Sequence, residues 1–344
     1  MKKLAVILTV ILLLSLGCGA ALTACTDVRV DDDGTIVAGG VRYKIDGQFA
    51  TVVGYDKDYG RRLKILNEIE DEELGIEAEV TIIAENAFAG ADIDQIEFDD
   101  DFERLTIYPN AFAGSTVKDL EDFPYTNVTL MDNALAGMSE LTVISVRGDS
   151  TERGCYYIRE TDGGLYGVGE DGKVTLYLIP AAKQASNTYT IVADIVAPGA
   201  FSCNKSINTV YVESNVTRIC AGAFAGVKMS NVYFRDGTAE VFVEEGAFEV
   251  DKDMRFYVSA NSVEVLDHWI KLSDGEQLET LSGLIHPIGC TMSTPHVHGL
   301  SGENAPATSI EGISYEVTDA SHGKIKIGDT EYYGLQYLFT SYTK

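Results

Sequence analysis

Apolar and polar positions along this chain repeat in a fixed order. A short phrase, Asn or Gly followed by Ala and a bulky apolar residue, is written six times: Asn86-Ala87-Phe88, Asn110-Ala111-Phe112, Asn133-Ala134-Leu135, Gly199-Ala200-Phe201, Gly222-Ala223-Phe224 and Gly246-Ala247-Phe248. Between their last residues the spacings are 24, 23, 66, 23 and 24. Five positions ahead of each stands an aliphatic residue: Ile83, Ile107, Leu130, Val196, Ile219 and Val243. A period near 23 marks stacked repeats, each too small to bury its own apolar face. Asn and Gly enter left-handed backbone conformation most cheaply, so their shared slot predicts a tight corner. Six unrelated amphipathic helices would leave three aligned slots at one period unexplained.

A second pattern lies between the corners. Ile93-x-x-Ile96-x-Phe98, Val117-x-x-Leu120-x-x-Phe123 and Leu141-x-x-Ile144-x-Val146 precede the long gap; Ile207-x-x-Val210-x-Val212, Met229-x-x-Val232-x-Phe234 and Phe256-x-Val258 follow it. The alternation at their ends predicts short strands with one buried face. One strand per repeat, parallel to the next coil, predicts a mainly β solenoid with strands about 4.8 Å apart.

The corner phrase, the L-x-x-I-x-I strand and the period resemble the BspA-type leucine-rich repeats of bacterial surface proteins. The resemblance spans roughly residues 36–272. The 66-residue gap is close to three periods. It carries Tyr156-Tyr157-Ile158, Gly163-Gly164-Leu165-Tyr166, Leu176-Tyr177-Leu178-Ile179-Pro180 and Tyr189-Thr190-Ile191, an order similar to the hairpin-bearing irregular repeat of that family. Asp162-Gly163 and Asp171-Gly172 suit its turns. The sequence departs from the family at Leu135, where a ring is usual, and at Glu249-Val250, where Ala-Gly is usual. The resemblance implies surface display and interaction, often adhesion, without enzymatic activity.

The expected organisation is a lipoprotein signal peptide (1–25), an N-terminal β cap (26–75), leucine-rich repeats (76–260) with the irregular hairpin repeat at 147–192, a helical C-terminal cap (261–284) and a C-terminal segment (285–344) of unassigned role with a small β portion. A cap is needed because a solenoid end leaves strand edges unpaired. In the second cap Leu266, Trp269 and Ile270 fall at helical spacing between Val263 and Leu272. At the N-terminus Lys2 and Lys3 precede an apolar run, Leu4 to Leu16, and Leu22-Thr23-Ala24-Cys25 resembles a lipobox, in which Cys25 receives lipid. An ordinary cleaved signal with an incidental Cys is the alternative. The protein is therefore expected to be exported and anchored in a membrane, facing the periplasm or cell exterior.

The net charge is −27, becoming −29 when Lys2 and Lys3 leave with the signal. Such a surface repels nucleic acid and anionic lipid headgroups, which excludes a nucleic-acid role. Apolar residues make up 45% of the chain, enough for a continuous core. Export permits disulfides. Cys203 and Cys220 nevertheless fall in different slots of adjacent repeats, so free thiols are expected.

No G-x-S-x-G, H-E-x-x-H or phosphate-cradling loop is present, and no catalytic residue or cofactor is assigned. Asp56-x-Asp58-x-Gly60 starts like a calcium loop but has Asn67 at the twelfth position. Cys290, His296 and His298 match no familiar zinc spacing, so no metal is assigned. The outward slot of each strand reads Glu97, Glu121 or its neighbour, Ser145, then Tyr211, Tyr233 and Tyr257. The three tyrosines, with Glu213 and Arg235 beside them, form the candidate binding strip. The structural alternative is that Tyr favours strands and stabilises ladders. The expected function is binding of a macromolecular partner, an extracellular protein or polysaccharide. A glycan-binding accessory lipoprotein and a structural envelope protein are the alternatives.

Overall fold

The computed structural model describes residues 28–148, 150–181, 187–234, 241–244, 246–249 and 254–258. It also describes the strand segments Ile285–Pro287, Ser309–Ile310, Ile313–Ser314, Glu316–Asp319, Lys324–Ile327 and Thr330–Tyr333. Every regular element among the described residues is a β-strand. The helix expected around Trp269 lies outside them.

The chain winds into a β-solenoid, and each coil carries two short parallel strands rather than the single one expected. The first set, here the ladder, contains Arg62–Ile65, Gln95–Phe98, Asp119–Pro124 and Val143–Arg147 in one sheet. After the irregular repeat it resumes as Thr188–Ile191, Thr209–Val212, Asn231–Phe234, Arg255–Val258 and Ile285–Pro287. The second set, here the wall, contains Phe49–Tyr55, Ile76–Ile83, Leu105–Ile107 and Val128–Leu130. Its later part is Val174–Leu178, Ile195–Val196, Arg218–Ile219 and Phe242–Val243. A wall strand such as Leu105-Thr106-Ile107 alternates buried and half-buried over only three residues. That is too short for a period-2 signal, so the sequence shows only its last aliphatic residue.

Between wall and ladder the backbone turns through the corner phrase. Asn86, Asn110 and Asn133 have φ of 60°, 57° and 59°, and Gly199, Gly222 and Gly246 have 75°, 69° and 74°. The turn aims corner amides at the next coil. Phe88 N–H donates to Ala111 (2.7 Å), Gly90 to Ala113 (2.8 Å), Phe201 to Ala223 (2.9 Å) and Phe224 to Ala247 (3.0 Å). The same turn sends the Phe inward. Phe88 stacks on Phe112 at 5.3 Å, Phe201 on Phe224 at 4.3 Å, and Phe224 on Phe248 at 4.7 Å. Phe88, Phe112, Phe201 and Phe224 are fully buried, as are Ile83, Ile107, Val196 and Ile219 ahead of them. Each such ring contributes roughly 1.5–3 kcal/mol by leaving water.

At the N-terminal end Ile36–Ala38, Val41–Asp46 and Phe49–Tyr55 form an antiparallel meander. Its last strand then pairs in parallel with Ile76–Ile83, so the meander feeds the wall. The tyrosine Tyr43 is fully buried there, and its hydroxyl accepts the Leu66 amide at 3.0 Å. In the far C-terminal segment Glu316–Asp319, Lys324–Ile327 and Thr330–Tyr333 form a small antiparallel sheet.

The irregular repeat is a three-stranded antiparallel meander, Tyr156–Ile158, Leu165–Val168 and Val174–Leu178. Gly163 (φ 65°) and Gly172 (φ 82°) close its turns. The 66-residue step from Leu135 to Phe201 does not build three coils. A Cβ added to Gly199 would lie 2.7 Å from that of Ala136, and Ser202 Oγ accepts the Gly137 amide at 3.0 Å, so one corner sits directly on the next. The extra chain instead forms a septum. Tyr156, Leu165 and Leu178 belong to the first core, whereas Tyr166, Leu176 and Ile179 belong to the second. Tyr166 Oη, Tyr189 Oη and an Asp162 carboxylate oxygen lie 2.8 Å from one another and tie the septum to the second ladder. Burial pushes both phenols well above their usual range, so they remain neutral partners for the carboxylate.

Cys155, Cys203 and Cys220 are free; the first two are buried and Cys220 is half-buried.

The corner conformation gives a direct test. Asn110→Val should lower unfolding free energy by about 1–2 kcal/mol, because a β-branched residue resists positive φ, whereas Asn110→Gly should change it by less than about half that. Urea denaturation midpoints measure both.

Candidate functional site

Register fixes which outward side chains are neighbours on the ladder. In the first half one column runs Arg62, Gln95, Asp119 and Val143. The next runs Lys64, Glu97 and Glu121. A bulge follows, in which Asp122 takes φ 56° and its amide donates to Ser145 Oγ at 2.9 Å. Charge dominates here. Lys64 lies 3.0 Å from Asp99 and 3.8 Å from Glu97, and Gln95 Nε2 donates to Glu121 at 2.7 Å. Along the rim Asp94 accepts from Arg61 (2.7 Å) and Lys118 (2.8 Å), which holds its carboxyl well below the usual range. These are exposed pairs across successive coils, and individually they add little stability.

The second half differs in kind. Its columns run Thr188, Thr209, Asn231 and Arg255, and Thr190, Tyr211, Tyr233, Tyr257 and His286. The tyrosines predicted to share a slot are in register, and their rings stack. Tyr211 and Tyr233 are 4.8 Å apart at 18°, and Tyr233 and Tyr257 are 4.3 Å apart at 8°. Parallel strands at this spacing impose that contact on any aromatic column. The strip is less open than expected: Tyr211 and Tyr233 are half-buried, and Tyr257 is only 9% exposed. With each inner face against a neighbour, the stack presents ring edges and hydroxyl tips. Glu213 is half-buried directly after its strand; Arg235 and Cys25 lie outside the described residues. The histidines at 296, 298 and 322 and Cys290 lie outside them as well.

The acidic turns are engaged by the fold. Asp56 is buried, accepts from Arg29 at 2.6 Å and caps the amide of Asp58 at 3.0 Å. These bonds lower its pKa, Arg29 contributing most. Among the described residues no helix is long and apolar enough to cross a membrane.

Residues 67–162 and 188–255 match the family model for a BspA type leucine rich repeat region, in six copies. These coils are BspA-type leucine-rich repeats. The interval between the matched stretches holds the second and third septum strands, Leu165–Val168 and Val174–Leu178. Several solved structures are similar. A leucine rich cell surface protein from Faecalibacterium prausnitzii A2-165 shares 11% identity over 76% of this chain and 96% of its own, with a TM-score of 0.31. A leucine-rich repeat protein from Eubacterium ventriosum ATCC 27560 shares 16% over 66% and 69%, with a TM-score of 0.33. One from Bacteroides capillosus ATCC 29799 shares 20% over 52% and 97%, with a TM-score of 0.23. No curated protein matches the chain in sequence.

The stack also predicts a pH response. Burial, with the Tyr257 and Tyr211 rings adding to it, pushes the Tyr233 phenol up to about 12. An unfolded tyrosine ionises near 10. Its contribution to stability is therefore complete below about pH 10 and lost as pH rises towards 12. Tyr233→Phe should flatten that alkaline decline, measured as denaturation midpoints between pH 9 and 11.

Proposed function

We propose that this chain is an exported lipoprotein, held at a membrane by diacylated Cys25, that binds an extracellular protein through the second half of its ladder face. One observation carries the choice of face. In a chain of net charge −27, the outward columns from Thr188 to Tyr233 hold only Thr, Asn and Tyr. A charge-poor surface with aromatic edges is what a protein interface core prefers. Residues after the signal begin the first strand at Arg29, four positions beyond Cys25, so the lipid would sit close to the N-terminal cap. The assigned role is non-catalytic. The repeat family supports a surface interaction role, and no nucleophile–base pair is legible in the sequence.

The polysaccharide reading is weaker on geometric grounds. Sugar rings are held by open aromatic faces, and here the faces of Tyr233 are spent on Tyr211 and Tyr257. A purely structural envelope protein would not need an uncharged face.

Purified protein should bind one or more matrix proteins, and none of a panel of polysaccharides, in surface plasmon resonance. A Tyr211→Ala/Tyr233→Ala variant with unchanged circular dichroism should bind at least about tenfold more weakly. Equal binding by both would remove the ladder from the account. Cys25→Ala should separately abolish metabolic labelling with palmitate.

A further inference from the structure

The wall carries a second surface that the ladder reading leaves unused. Its outward positions run in register as Thr51, Ile82, Thr106 and Thr129. The next column is Val53, Ala84, Tyr108 and Met131, in which each amide after the first donates to the coil before it. Val53, Tyr108 and Met131 are 38%, 39% and 42% exposed. Neither column holds a residue charged at neutral pH. Apolar side chains left on a surface in a row, rather than singly, mark a contact site.

This column ends at a cleft of about 30 Å³ lined by Leu130, Met131, Leu135, Tyr177, Ala197 and Pro198. Its origin is legible in the repeat. Corner rings stack as Phe88 on Phe112 before it and as Phe201 on Phe224 after it, but the intervening corner has Leu135. The smaller side chain leaves the ring column interrupted where the septum enters. The cleft has room for about two waters, or for the tip of one branched aliphatic side chain. Asp132 lines it and is exposed, and Glu85, one residue beyond Ala84, is exposed as well. Neither forms an ion pair among the described residues.

We propose that the wall docks a polypeptide segment that inserts one branched aliphatic side chain into the Leu135 cleft and sets Lys or Arg beside Asp132 and Glu85. The uncharged columns accept the apolar stretch, the concavity accepts the anchor, and the acidic rim selects basic flanks. A second copy of this chain is disfavoured, because it would bring another −27 charges and its own acidic rim. A bilayer is disfavoured too: a flat lipid surface does not enter a cleft, and anionic headgroups meet Asp132 and Glu85.

The test is selection of a phage-displayed random peptide library on the purified chain. Enriched peptides should carry Val, Leu or Ile flanked by Lys or Arg. Their affinity should fall at least about tenfold with Leu135→Phe, which restores the ring and fills the cleft, and with the surface change Met131→Glu. It should be unchanged with Tyr211→Ala, which separates this surface from the ladder. Selection that enriches nothing would overturn the proposal, as would peptides that bind both wall variants like the wild type. Binding to phosphatidylcholine vesicles that is lost with Met131→Glu but kept with Leu135→Phe would assign the row to a membrane and also overturn it. Met131→Glu keeps the test decisive if Leu135→Phe proves too bulky to fold.

Discussion

An L-residue resists left-handed backbone conformation by about 1–2 kcal/mol, and every corner here needs that conformation at its Asn or Gly. Placing Asn or Gly there has three effects. The chain turns from wall to ladder in a few residues, corner amides point along the stack, and the following Phe drops into the interior. Backbone hydrogen bonds and ring stacking thus share a single local condition. Repetition then does the rest, since each coil contacts chiefly its neighbours and buries its apolar face only against them.

The septum shows how far that condition can carry the fold. Neither ladder nor wall pairs directly across the irregular repeat, and the apolar interior divides into two clusters there. The corners still stack, Gly199 against Ala136, with no room for a Cβ between them. That close approach explains why this corner is Gly. The septum holds its place through the Asp162, Tyr166 and Tyr189 contacts, polar groups that are buried yet mutually satisfied.

What could be read from the sequence follows from length scale. The corners, their φ signs, the ladder strands and the in-register tyrosines were legible because each recurs at a fixed spacing. Wall strands of two or three residues were not, since a single aliphatic position carries no period. The hairpin character of the 66-residue gap was legible from its turns, but not its route, since the stacking of Gly199 on Ala136 has no local signature. Of the candidate site, the identity and order of the tyrosines were visible, but not that stacking consumes their faces or that Tyr257 is buried. The Leu135 departure was visible as a letter; the cleft it lines depends on neighbours more than 60 residues away, such as Ala197 and Pro198.

The two halves of the molecule divide their surface. The first ladder is a lattice of exposed ion pairs between coils, whereas the second is uncharged from Thr188 to Tyr233, and two outward columns of the wall beside the first ladder are uncharged as well. Such segregation keeps a strongly acidic protein soluble while leaving defined places where a partner meets no unpaired charge. All of it presumes that the corner column is the most persistent part of the fold. Residue-resolved native-state hydrogen exchange tests that most directly. The amides of Phe88, Gly90, Phe201 and Phe224, which donate from one corner to the next, should exchange only through global unfolding, as slowly as those of Val210 and Val232 in the ladder. Exchange of these corner amides at the rates of ordinary surface turns would contradict the account.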